Sequence, residues 1–145
     1  MNIRCSTVGR IAAAALLCIL GTRAVGVASA QGATRTVRDR VFSAAQVQKG
    51  QKIFKAICTN CHEIEEFTGP GAYLEDHEGK PLWDTFDFIW SNMPDDDPSS
   101  LEPAEYAAVL AYIFSVYGLP AGEADLPTDR KVLELITITR PGPAG

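Results

Sequence analysis

Three side chains near the middle of the chain have a spacing that indicates one kind of covalent chemistry. Cys58, Cys61 and His62 form a C-x-x-C-H motif, which is typical of a c-type haem attachment site. Two thiols three residues apart at the end of a helix project to one side, where they can add to the two vinyl groups on one edge of a porphyrin. His62 follows at once and can offer its imidazole to the iron. The motif therefore predicts one covalently bound haem c per chain.

Other uses of these cysteines fit the chain less well. A thioredoxin-like C-x-x-C motif is expected in a strand–helix–strand unit, and the sequence lacks that alternation. A structural zinc ion needs four ligands. Apart from the motif, only His77 could add an imidazole, and the adjacent Cys61 and His62 would be awkward in one tetrahedral site. A disulfide suits an oxidising compartment, but it would explain neither His62 nor the irregular segment after it.

A candidate for the second axial ligand lies further along the chain. Met93 is the only methionine besides Met1, and it directly precedes Pro94 outside any helical face. Because Pro94 restricts the backbone, a methionine in this loop is well placed to reach over a ring, and its thioether would raise the reduction potential and close the iron. The alternatives are an ordinary loop or core methionine, ligation by His77, and an open five-coordinate iron.

Two further residues are candidates for contacts with the cofactor or its ligand. Gly69 and Pro70 follow His62 closely in the chain. A ligating histidine usually donates its other ring N–H to an oxygen such as a backbone carbonyl, and Pro70 is predicted to supply that carbonyl unless the segment is a simple turn. Trp83 could donate to a haem propionate, and the alternative is an ordinary core position.

Helical patterns lie on both sides of these residues. Ser43 and Gln46 fit a capping box, and the helix that they begin is predicted to end near Cys58. A helix from Pro103 to Gly118 has an apolar face and the usual order of terminal residues. Between them, a short helix is indicated by the spacing of Trp83, Phe86, Ile89 and Trp90. The lack of strand–helix–strand alternation argues against a parallel sheet.

The N-terminal residues have the three-part pattern of a secretory signal peptide. Arg4 and Arg10 precede the apolar run from Ile11 to Leu20, and Ala28-Ser29-Ala30 is an A-x-A cleavage site. The apolar run is shorter than the roughly 20 residues that a membrane-spanning helix needs. We therefore expect cleavage near Ala30, a periplasmic location and no stable membrane insertion, with an uncleaved signal anchor as the alternative.

The remaining chain divides by composition and pattern. We expect a signal peptide at 1–30, a flexible leader at 31–42, a haem-binding domain at 43–120 and a C-terminal extension at 121–145. Within the extension, residues 131–136 suggest a short amphipathic helix and residues 136–139 alternate like a strand.

Charge limits the partners that this protein can have. The full chain of 145 residues has a net charge of −5, and loss of three signal-peptide arginines would bring it to −8. An acidic chain argues against nucleic-acid binding. It favours a partner with a basic docking face, whose binding weakens as salt is added.

Residues 43–118 resemble a class I c-type cytochrome in the C-x-x-C-H motif, the Gly69-Pro70 and Met93-Pro94 pairs, and the terminal helix. This resemblance implies an all-α fold of three to five helices packed around one covalent haem c. In this family the first and last helices cross. Here the crossing would bring an aromatic residue, Tyr112, against Gly50 or Phe54.

A finer similarity, carried by the stretch from Met93 to Gly122, is to small periplasmic cytochromes that accompany quinoprotein (pyrroloquinoline quinone) dehydrogenases. It implies that the protein is an electron carrier rather than an enzyme. The carrier would transfer single electrons between redox proteins, from such a dehydrogenase toward a terminal oxidase. Two other hypotheses stay open. One is a haem-based sensor or binder of small ligands, if Met93 is labile. The other is a cytochrome subunit of a dehydrogenase complex, which the extension at 121–145 motivates.

Overall fold

The computed structural model describes residues 34–142, so the signal peptide predicted at 1–30 lies outside the described residues. The α-helices are α1 (Ala44–Ala56), α2 (Glu65–Thr68), α3 (Tyr73–Asp76), α4 (Leu82–Asn92), α5 (Pro103–Val116) and α6 (Arg130–Leu133). A 3-10 turn spans Cys58–Asn60, and two short strands, β1 (Arg35–Thr36) and β2 (Ile136–Thr137), pair in parallel. The expected all-α class is confirmed, and α1 to α5 lie within the predicted haem-binding domain. Among the described residues, no helix is long and apolar enough to cross a membrane.

Helix α1 begins at the expected residue, but only one of the two hydrogen bonds of the expected capping box is present. The Ser43 hydroxyl accepts a hydrogen bond from the Gln46 backbone N–H at 3.0 Å. The Gln46 side chain does not complete a capping box. Instead it donates to the Leu126 carbonyl at 3.2 Å and accepts from the Leu126 N–H at 2.8 Å. The start of α1 is therefore tied to the C-terminal extension.

Helices α1 and α5 cross at a point where their backbones touch. A Cβ atom on Gly50 would lie 1.8 Å from the carbonyl oxygen of Ala108, so only glycine permits this approach. The resemblance implied a contact of Tyr112 with Gly50 or with Phe54, and the atoms nearest to a Cβ on Gly50 belong to the backbone of α5. Tyr112 packs against Phe54 instead, with ring centroids 5.5 Å apart.

The leader was expected to be flexible, but the part of it that the structure describes, residues 34–42, is packed against the rest of the protein. Val37 and Phe42 are fully buried, and β1 pairs in parallel with β2 near the end of the chain. This two-residue pair is the parallel pairing that the sequence pattern argued against. It forms because the extension returns beside the leader, and the Val37 N–H donates to the Thr137 carbonyl at 3.0 Å.

The extension is part of the same core. Four of its apolar side chains are at most 2% exposed, namely Leu126, Leu133, Ile136 and Ile138. The Ile138 backbone exchanges hydrogen bonds with Gly79 N–H at 2.9 Å and with the Lys80 carbonyl at 3.0 Å. Arg140 pairs with Glu78 at 2.7 Å. The extension thus supports the segment that connects the C-x-x-C-H motif to α4.

Candidate haem site

The C-x-x-C-H motif is held in a tight turn directly after α1. The Cys58 carbonyl accepts hydrogen bonds from the backbone N–H groups of Cys61 at 3.2 Å and His62 at 2.9 Å. No disulfide joins the two cysteines of the motif, and Cys58 is half-buried while Cys61 is exposed. Burial raises the pKa of the Cys58 thiol, so it is protonated at neutral pH. The turn thus places the two sulfur atoms and the His62 ring within five consecutive residues.

A cavity of about 760 Å³ opens beside this turn, within the volume range of small-molecule and cofactor sites. Cys58, Cys61 and His62 line one part of the wall, and Met93 lines another. Most of the remaining wall is apolar and includes Phe54, Phe67, Leu74, Ile89, Leu110 and Ile113. The cavity brings the four residues of the sequence prediction to one apolar space, as a porphyrin ring requires.

One polar atom in the wall fits the acidic edge of a haem. Thr85 lines the cavity and is 1% exposed. Its hydroxyl makes no hydrogen bond of good geometry, although the Tyr73 hydroxyl lies nearby. A buried hydroxyl without a partner costs about 1–3 kcal/mol. The residues present therefore suit a ligand that is mostly apolar but carries hydrogen-bond acceptors, as haem does with its propionates.

Residues 45–113 match the family model described as Cytochrome C oxidase, cbb3-type, subunit III. The matched segment contains the C-x-x-C-H motif, Met93 and most of the cavity wall. This domain is a class I monohaem c-type cytochrome. The cytochrome carries covalently bound haem c and works in electron transfer, with other redox proteins as its partners. No curated protein and no solved structure matches the chain at a significant level.

The loop that carries Met93 in the cytochrome is anchored to α5 by a tyrosine. The Tyr106 hydroxyl donates to the Met93 carbonyl at 2.7 Å and accepts from the Leu101 N–H at 3.4 Å. The apolar face of the helix predicted from Pro103 to Gly118 did not indicate this role for Tyr106. The signal that could have found it is a hydroxyl at a position predicted to be buried, because such a group needs a partner.

We expect Tyr106→Phe to lower the free energy of unfolding of the haem-loaded cytochrome by about 1–2 kcal/mol, since it leaves the Met93 carbonyl without its donor. Denaturant unfolding followed by circular dichroism measures this loss. The control is Tyr112→Phe, which removes a hydroxyl from the same helix without touching the Met93 loop. Equal losses in the two variants would contradict the anchoring role.

The partner of His62 differs from the sequence prediction. His62 Nδ1 lies 3.0 Å from Glu66 Oε2, and this hydrogen bond holds the pKa of Glu66 below its usual range. Pro70 is exposed and does not line the cavity, so the structure does not show the predicted contact between its carbonyl and the His62 ring. The reason is local, because the helical turn α2 follows the motif at once and brings a carboxylate to His62 four residues on.

Two other candidates lie outside the cavity. Trp83 lies on α4 and faces the extension, where the Arg130 guanidinium is 5.3 Å from its ring centroid, and it does not line the cavity. The predicted contact of Trp83 with a propionate therefore has no support in the structure. His77 stacks on Tyr73 at 3.8 Å and its Nδ1 bonds the Tyr73 carbonyl at 2.7 Å. Within residues 34–142, no three His, Cys, Asp or Glu side chains gather to hold a metal ion, so the zinc alternative has no support either.

Proposed function

We propose that this cytochrome is a periplasmic carrier of single electrons, in which Cys58 and Cys61 form the thioether bonds and His62 and Met93 are the axial ligands. The observation that carries the proposal is that these four side chains line one cavity of a c-type cytochrome domain. Haem, when bound, supplies a reversible one-electron couple at iron. An iron with both His62 and Met93 bound would have no open position for a substrate. No catalytic acid or base is then required from the protein.

The mouth of the cavity supports protein docking as the route for electrons. Asp95 and Asp96 line the cavity and are exposed, and Phe88 lines it with 47% of its surface exposed. Carboxylates beside an exposed aromatic ring suit a partner with basic groups around an apolar patch. Because the docking charges are exposed, electron exchange with such a partner is expected to slow as ionic strength rises.

The location and the partners rest on further observations. The signal-peptide pattern at 1–30 favours export to the periplasm. The similarity to cytochromes that accompany quinoprotein dehydrogenases favours such an enzyme as the electron donor. The matching family is named after a cytochrome c oxidase subunit, which favours a terminal oxidase as the acceptor.

Absorption spectra of the exported protein test the ligand assignment. We expect a c-type haem with a methionine-to-iron charge-transfer band when oxidised, and no change when the reduced form meets carbon monoxide. Met93→Ala is expected to lose that band and to bind carbon monoxide, because the sixth position opens. His77→Ala is the matched control and should keep the wild-type spectra. Carbon monoxide binding by the wild type would contradict the carrier and favour the sensor hypothesis.

A second candidate function is a subunit of a larger respiratory complex. The name of the matching family, which includes the words subunit III, favours it. The extension at 121–145 motivated a related hypothesis, a cytochrome subunit of a dehydrogenase complex, and it supports that hypothesis less than the sequence suggested, because its apolar side chains are buried in the domain's own core. Gentle purification followed by sizing separates the two functions, since a carrier is expected to migrate alone and a subunit with its complex.

A further inference from the structure

The carboxylate of Glu66 is held on both of its oxygens beside the C-x-x-C-H motif. Oε2 lies 3.0 Å from His62 Nδ1, and Oε1 accepts a hydrogen bond from the Glu63 backbone N–H at 3.0 Å. Glu66 also lines the haem cavity. Its orientation is therefore set by two contacts within four residues of chain, rather than left to a free surface side chain.

This arrangement decides which nitrogen of His62 is left for a metal. A carboxylate is only an acceptor, so Nδ1 must carry the proton of this hydrogen bond, and Nε2 keeps its lone pair. The imidazole also packs against the ring of Phe67, with centroids 5.4 Å apart. One hydrogen bond and one aromatic contact thus select both the tautomer and the orientation of the ring.

We infer that Glu66 is a positioning residue for His62, and that its carboxylate makes the imidazole a stronger donor to iron and lowers the reduction potential of the haem. The inference rests on the proposed role of His62 as an axial ligand. A carboxylate that accepts the Nδ1 proton raises the basicity of a ligating histidine. A stronger donor and a nearby negative charge both favour Fe(III) over Fe(II). A neutral backbone carbonyl in the same place would select the same tautomer without adding the charge.

The test compares two neutralised variants of the haem-loaded cytochrome. Glu66→Gln keeps an oxygen acceptor but removes the charge at His62. Glu65→Gln is the matched control, because it removes the same charge from an exposed neighbour on α2. We expect the reduction potential to rise clearly in Glu66→Gln and little in Glu65→Gln. The ¹⁵N chemical shift of His62 Nδ1 in the reduced, diamagnetic protein should move only in Glu66→Gln.

A third variant separates charge from contact. Glu66→Asp keeps the carboxylate and the net charge, but its side chain is shorter and should no longer reach His62 Nδ1. We therefore expect the ¹⁵N chemical shift of His62 Nδ1 to move from its wild-type value in this variant as well. Equal potentials in Glu66→Gln and Glu65→Gln with an unmoved Nδ1 signal would overturn the inference, and another acceptor such as the Pro70 carbonyl would then hold His62. Failure of the proposed function is recognised separately, because all variants would then lack the charge-transfer band that reports the closed His/Met iron.

Discussion

Deletion of residues 121–145 is expected to prevent recovery of folded, haem-loaded cytochrome. The deletion removes four side chains that are at most 2% exposed, and burial of a Leu or Ile side chain contributes about 1.5–3 kcal/mol. Together they contribute about 6–12 kcal/mol by that measure, which is as large as the whole stability of a typical domain, about 5–15 kcal/mol. The deletion also exposes the apolar leader residues that pack against the extension. The yield of haem-bound protein and its thermal unfolding measure the effect.

Point variants keep this expectation testable if the shortened chain cannot be produced. Leu133→Ala removes a side chain with no exposed surface and should cost about 2–5 kcal/mol in the free energy of unfolding. Leu135→Ala makes the same chemical change two residues away, where 42% of the side chain is exposed, and should stay within about 0.5 kcal/mol of the wild type. A shortened chain with wild-type spectra and stability would show that the haem-binding domain ends near Pro120.

Gly50→Ala is expected to destabilise the cytochrome by about 3 kcal/mol, at the upper end of the usual cost of overpacking a core. The added methyl group would lie 1.8 Å from the Ala108 carbonyl oxygen and 2.4 Å from its carbon. Both atoms belong to the backbone of α5, so relief requires α1 and α5 to move apart along their crossing. Denaturant unfolding of the haem-loaded protein measures the change.

The sign of this effect distinguishes packing from helix propensity. At an exposed helical position, replacement of glycine by alanine stabilises a protein by about 0.5–1 kcal/mol. Gln51→Ala, at the adjacent exposed position of α1, controls for a changed helix surface and should alter stability by less than about 0.5 kcal/mol. A gain in stability for Gly50→Ala would show that the two backbones do not meet at this point.

The sequence alone was sufficient for the features whose cause is local. Cys58, Cys61 and His62 lie within five consecutive residues, so their joint chemistry depends on one turn of chain. The apolar periodicities of α4 and α5 likewise depend only on which residues recur along a helix. Met93 could be singled out as a candidate because it is the sole methionine after Met1, and it lines the same cavity as the motif.

The tertiary structure alone decided the contacts that join distant parts of the chain. Gln46 bonds to Leu126 across 80 residues, and the strand pair joins the leader to the end of the extension. Neither contact has a periodic signal, because a backbone group accepts the same hydrogen bond whatever its side chain. The exchange of Pro70 for Glu66 as the partner of His62 has a related cause. The Pro70 carbonyl and the Glu66 carboxylate are both close enough to His62 in the sequence to reach its ring. Only the folding of α2 places the Glu66 oxygen at Nδ1.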